Sequence, residues 1–157
     1  MSIIKGINSN VSMSEADEYF STRVDSDIWF NSVSSKRKAA LVSSTGILDE
    51  LRWAGVAVDA SQELAFPRKG HYFDPRIGMN VALEGYPKRV KVATYELALH
   101  LLSNEGSTNS TGEIDILKIS GIELHDIKAP PRMPPSVTRM IKPLLVNAGA
   151  ATWWRAN

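Results

Sequence analysis

Residues 36–70, KRKAALVSSTGILDELRWAGVAVDASQELAFPRKG, decide how the rest of the chain is read. Ser34 and Ser35 just ahead of it offer a helix cap. Ala40, Leu41, Ser44, Ile47, Leu48 and Leu51 then recur at three- and four-residue spacing, the apolar stripe of an amphipathic helix. Ser43, Ser44, Thr45 and Gly46 are weak helix formers, and small side chains there would let a second helix approach closely. Trp53 closes the helix and Gly55 is placed to be its left-handed cap. Beyond it, residues 57–80 read as a long irregular stretch, with Leu64 and Phe66 pinning it to the helices and Phe66 driven toward extended backbone by Pro67.

The partner helix is found downstream. Pro87 opens PKRVKVATYELALHLL (residues 87–102), and proline in the first turn costs no intrahelical hydrogen bond. Val90, Ala93, Thr94, Leu97, Ala98 and Leu101 form one apolar face, so this helix and the 36–53 helix make the expected core pair. Upstream, Ser12 stands three residues before Glu15, the signature of a capping box, and a short helix through Ala16, Tyr19 and Phe20 should follow. Trp29 is the natural anchor of a second short helix.

Downstream of the core pair, residues 103–112 (SNEGSTNSTG) form a polar linker. Around Ser120-Gly121 a β-hairpin is expected over about 113–127. A two-residue turn would pair Ile119 with Ile122, Lys118 with Glu123, Leu117 with Leu124 and Ile116 with His125. Ile119, Ile122, Leu117 and Leu124 then share one face, with Ile114, Ile116 and Ile127 on the other. A lone hairpin is marginal in water, so two apolar faces call for cover on both sides. Residues 129–135 (APPRMPP) are an extended spacer. Val137, Met140, Ile141 and Leu144 mark a last short helix, before a tail carrying Trp153, Trp154 and Arg155. The fold expected is mainly α: about four helices in a small bundle, an inserted hairpin and extended termini. Residues 1–11 would be an extended arm, 12–145 one domain and 146–157 a docking tail.

The chain has 157 residues, 43% of them hydrophobic and 22% charged, which suits one globular domain with a sizeable core. Without cysteine there is no disulfide framework and no thiolate chemistry. No apolar run approaches the roughly 20 residues of a membrane span, and the N-terminus lacks a signal-peptide pattern, so no membrane partner is expected and synthesis is in the cytoplasm. There is no Gly-rich phosphate loop, zinc-protease motif or nucleophile elbow. His71, His100 and His125 are scattered, and Glu123 with His125 is too small a set to hold a metal. An enzyme, a cofactor and a metal are therefore not expected.

The net charge is only +1, but it is unevenly spread. Residues 128–157 hold five bases and no acid, while residues 93–127 hold six acids against Lys118 alone. Residues 61–92 hold six bases, Arg68, Lys69, Arg76, Lys88, Arg89 and Lys91, against Glu63, Asp74 and Glu84. Tyr72, Phe73 and Tyr86 lie among them, and cations interleaved with aromatics suit single-stranded nucleic acid.

The segments SEADEYF (14–20), Trp29, LDELRWAG (48–55), QELAFPRKG (62–70), the 87–102 helix and KISGIEL (118–124) together resemble a group of short tailed-phage proteins described as DnaT-like single-stranded-DNA-binding proteins. In helix order and inserted hairpin these resemble the head-to-tail adaptor, or head-completion, proteins that ring the portal. The resemblance spans about residues 12–145. It implies two readings. As an adaptor, the chain would be a structural virion protein at the head–tail junction. It would form a ring of identical subunits, twelve by portal symmetry, joining the portal protein to tail or nozzle proteins and extending the channel for genomic DNA. Arg139, Lys142, Trp153, Trp154 and Arg155 would then dock on the portal, and Ile114, Ile116, Leu117, Ile119, Ile122 and Leu124 would pack between subunits. The alternative is a DnaT-like single-stranded-DNA-binding replication accessory protein, with Arg68, Lys69, Arg76, Lys88, Arg89 and Lys91 facing DNA. The two-faced hairpin, the spacer and the tryptophan tail favour the adaptor expectation.

Overall fold

The computed structural model describes residues 2–104 and 133–146 in full, and the backbone of two strands at 114–119 and 122–127. Ser12 and Glu15 form the capping box their spacing implies. The Glu15 amide donates to Ser12 Oγ at 3.2 Å and the Ser12 amide to Glu15 Oε2 at 2.8 Å. Helix α1 (Met13–Ser21) buries Ala16 and Phe20, and α2 (Asp27–Asn31) buries Trp29. The Phe20 and Trp29 rings stack with centroids 4.5 Å apart, and Trp29 Nε1 donates to Asp17 Oδ1 at 2.8 Å. The residues ahead of α1 turn rather than extend. Ile4 carbonyl accepts from the Ile7 and Asn8 amides, and Ser9, Asn10 and Val11 are buried.

Helices α3 (Ser34–Asp49) and α4 (Lys88–Ser103) pack on each other as the core pair. The small residues of α3 divide by face: Ser44 and Thr45 are buried, Ser43 and Gly46 exposed. Two apolar clusters result. One joins α1, α2 and the first half of α3 to Tyr95, Ala98 and Leu99 of α4. The other gathers Ile47, Leu48, Trp53, Phe66, Leu83, Val90, Leu97, Val137, Ile141 and Leu144. Its last members come from α5 (Pro135–Ile141) and a 3-10 turn (Lys142–Leu144), which bury Val137, Ile141 and Leu144 as their spacing implies. The chain after α5 is tied back by the Ala54 amide on Leu144 carbonyl (2.8 Å) and the Val146 amide on Arg52 carbonyl (2.9 Å).

The expectation of a mainly helical bundle is corrected by residues 56–83. Residues 58–67 are irregular, as expected, with Phe66 buried in the second cluster, but the segments on either side form a three-stranded antiparallel sheet, so the architecture is mixed α/β. Strands β1 (Val56–Ala57), β2 (Arg68–Asp74) and β3 (Met79–Leu83) lie in spatial order 1-2-3. The physical reason is that β2 turns alternate residues toward the rest of the fold, Tyr72 against the second apolar cluster and Asp74 buried, while its ladder hydrogen bonds satisfy the backbone. Gly55 is left-handed (φ +73°) but does not cap α3, which ends at Asp49. It lies against Lys69, where a Cβ would come within 2.4 Å of the Lys69 carbonyl oxygen. The Phe66–Pro67 peptide bond is cis.

Strands β4 (Ile114–Ile119) and β5 (Ile122–Ile127) pair antiparallel with the register read from the sequence: Ile119 with Ile122, Lys118 with Glu123, Leu117 with Leu124 and Ile116 with His125. The side chains of Ile114, Ile116, Leu117, Ile119, Ile122 and Leu124 lie outside the described residues, as do Trp153, Trp154 and Arg155. Among the described residues no helix is long and apolar enough to cross a membrane.

Candidate nucleic-acid interface

The β2–β3 hairpin closes over a four-residue turn, residues 75–78. Asp74 builds that turn. Its Oδ1 accepts from the Arg76 amide at 2.9 Å, its carbonyl accepts from the Ile77 and Gly78 amides, and Gly78 supplies the left-handed φ of +72° that returns the chain. Along β2 burial alternates. Arg68, Gly70, Tyr72 and Asp74 turn inward, while Lys69, His71 and Phe73 face water.

On the inward side the hairpin, the start of α4 and Met140 of α5 enclose an open cleft of about 580 Å³. Tyr72, Asp74, Arg76, Lys88, Arg89, Val92 and Met140 line it. Arg89 is fixed at its floor, Nη2 donating to Asp74 Oδ1 at 3.1 Å and Nη1 to Met140 carbonyl at 3.2 Å. Lys88 is exposed, and the Arg76 side chain keeps 73% of its surface in water with a guanidinium nitrogen 3.7 Å from Asp74 Oδ2. Asp74 itself is 4% exposed. The Arg76 amide, and after burial's opposing effect the Arg89 guanidinium, hold its carboxyl below the usual carboxylate range. The cleft thus presents three cations to one anion, and that anion is already engaged.

The six basic residues singled out from the sequence are sorted by this fold. Arg76, Lys88 and Arg89 meet in the cleft, and Lys69 lies on the opposite, outward face of the hairpin. Arg68 points inward, its guanidinium donating to the carbonyls of Ala54 (2.9 Å), Gly55 (2.6 Å), Trp53 (3.3 Å) and Ala65 (3.3 Å). It ties β2 to residues 53–55, beyond α3, and to Ala65. Lys91 turns along α4 toward Glu15, 3.6 Å away. Of the portal-docking candidates, Arg139 and Lys142 are exposed on α5 and the turn after it. Sequence reasoning passed over Asp74, whose signal was an Asp-Pro followed by Gly78, a turn pattern. It also passed over Val92 and read Met140 only as part of the last helix's apolar face; tertiary packing brings both to the cleft.

Residues 2–156 match the family model described as "Putative DnaT-like ssDNA binding protein". No curated protein and no solved structure is significantly similar to the chain. The match corrects the adaptor expectation. It points to the single-stranded-DNA reading, and nothing here supports a head-to-tail connector, a dodecameric ring, or the portal, tail or nozzle proteins as partners; of the partners expected, DNA alone is in keeping with the match. The hairpin and basic tail had favoured the adaptor because apolar and charged surface signals an interface without saying with what. Covering all but the two terminal residues, the match makes the chain a member of this DnaT-like family.

Proposed function

We propose that the protein binds single-stranded DNA as a non-catalytic accessory factor, with the cleft between the β2–β3 hairpin and α4 as the path of the phosphate backbone. The observation that carries this reading is the convergence of Arg76, Lys88 and Arg89 around Tyr72 in one open cleft. Arg89, held by Asp74 and Met140, offers a fixed charge at the floor. Arg76 and Lys88 are long, exposed cations at the rim that can follow a flexible strand. Tyr72, Val92 and Met140 give sugars and bases an apolar wall, and aromatic surface beside cations is what sequence-tolerant single-strand binding uses. The net charge of +1 keeps the affinity dependent on this local cluster and on ionic strength.

The test is a fluorescence-anisotropy titration of a labelled oligothymidylate at low salt, with wild type and the Arg76→Ala/Lys88→Ala double variant. Both positions are solvent-exposed, so the fold should survive. We expect the double variant to bind roughly tenfold or more weakly. Binding that is absent in the wild type, or tight and indifferent to both substitutions, would overturn the assignment.

A further inference from the structure

The cleft uses only one face of the β2–β3 hairpin. On the other, Lys69, His71 and Phe73 alternate along β2, and Ala82 and Asn80 of β3 stand directly across from His71 and Phe73. All five are exposed. A sheet with one face on the core normally turns polar side chains to water. Here a phenyl ring, 54% exposed, ends the solvated face next to the hairpin turn and belongs to neither buried cluster. Its nearest cross-strand neighbour, Asn80, is small and polar and does not cover it. Cations lie on either side along the chain: Lys69 four residues back on the same face, about 13 Å along the strand, and Arg76 three residues on in the turn, its exposed guanidinium on the cleft side near Asp74.

We infer that this outer face is a stacking platform for unpaired bases, with Phe73 as the stacking ring and Lys69 and Arg76 tracking the phosphates to either side. The inference rests on the single-strand reading above and extends it. The occupant is argued from the surface itself. Every base has a π-face, so one exposed ring between cations accepts any unpaired base, whereas bases inside a duplex are already stacked and cannot reach it. Arg76 belongs to the cleft and to the tip alike, which makes the two surfaces continuous: a strand can lay bases on Phe73 and carry its phosphates around the tip to Lys88 and Arg89. The cleft holds phosphates through its cations and gives bases a side wall at Tyr72, Val92 and Met140, with no exposed ring face on which a base can lie. The platform adds that face and sharpens the preference for unpaired bases.

The experiment compares three labelled probes, an oligothymidylate, an abasic phosphodiester strand of the same length, and a duplex, against wild type, Phe73→Ala, Phe73→Trp and Arg76→Ala/Lys88→Ala. We expect wild type to prefer the oligothymidylate over the abasic strand by about tenfold. Phe73→Ala should cut most of that preference and leave abasic binding unchanged, Phe73→Trp should retain it, and the double variant should weaken both strands. If Phe73→Ala binds the oligothymidylate as tightly as wild type while the double variant does not, the platform is wrong and the cleft stands. Equal wild-type affinity for the base-bearing and abasic strands has the same meaning. If wild type binds no strand at all, both assignments fall.

Discussion

Glu15 joins the N-terminal segment, α1 and α4 at one carboxylate. It accepts from Lys5 Nζ at 2.6 Å and from the Ser12 amide at 2.8 Å, with Lys91 Nζ 3.6 Å away. Burial would raise its pKa, but the Lys5 and Ser12 hydrogen bonds and the two ammonium charges outweigh that and bring it down to about 2. An unfolded glutamate titrates at about 4.3. A carboxylate whose pKa is depressed by folding stabilises the native state fully above the unfolded value, and that stability is lost as pH falls from there through the folded value. For Glu15 the contribution is on the order of 1–2 kcal/mol after solvent screening of a partly exposed site. Glu15→Gln should therefore unfold at lower urea than wild type near pH 7, and the gap should close as the pH approaches about 2. Other carboxylates, Asp25, Asp59 and Asp74, are also held low, so both proteins lose stability in acid and the difference between them is the readout. A gap that stays constant with pH would mean that Glu15 acts by shape and not by charge.

At the scale of elements, two glycines make opposite predictions from one substitution. Gly46 lies within α3, exposed, and a Cβ there would meet nothing within 4 Å. Alanine costs the helix less backbone entropy than glycine, so Gly46→Ala should raise stability by about 0.5–1 kcal/mol. Gly55→Ala should lower it by about 2 kcal/mol or more. The residue holds a φ of +73°, and the added methyl would lie 2.4 Å from Lys69 carbonyl oxygen and 2.9 Å from Leu83 Cδ1. Urea unfolding of the two variants beside wild type checks both signs. These positions also show what the sequence made legible. The α3 and α4 stripes are long and regular, and the apolar period alone locates them and their shared core. The β4–β5 register follows from a two-residue turn and the Lys118–Glu123 pair, because a slip of one residue would exchange the faces. By contrast β2, RKGHYFD, has no β-branched residue, and both of its faces contain charge and aromatic surface. Its alternation is one of burial and not of hydrophobicity, since Arg68 and Asp74 turn inward with hydrogen bonds to satisfy them. A strand stabilised by polar contacts leaves no apolar period to read, and so Gly55 is taken for a helix cap when it serves the crossing of β2.

Across the whole molecule, the basic cluster of residues 61–92 is plain in the sequence, but which of its charges are free for a ligand depends on the fold. Arg68 is bound to four carbonyls of residues 53–65, beyond α3, and Lys91 sits beside Glu15 of α1, contacts that spacing along the sequence does not reveal. Lys69, Arg76, Lys88 and Arg89 remain on the hairpin and cleft, and Asp74 offsets about one of those charges through its contact with Arg89. About three phosphates should then be neutralised on binding. For a single strand each contributes roughly −0.7 to the slope of log affinity against log salt, so the slope should be close to −2. Raising salt from about 50 to about 200 mM would weaken binding by about sixteenfold. Arg76→Ala/Lys88→Ala should reduce the slope to about −0.7, while Phe73→Ala should lower affinity and leave the slope in place, because stacking releases no counterion. Titrations of an oligothymidylate at four or five salt concentrations separate these outcomes. A wild-type slope near −4 would mean that all six cations engage the strand, and that Arg68 and Lys91 leave their present partners to do so.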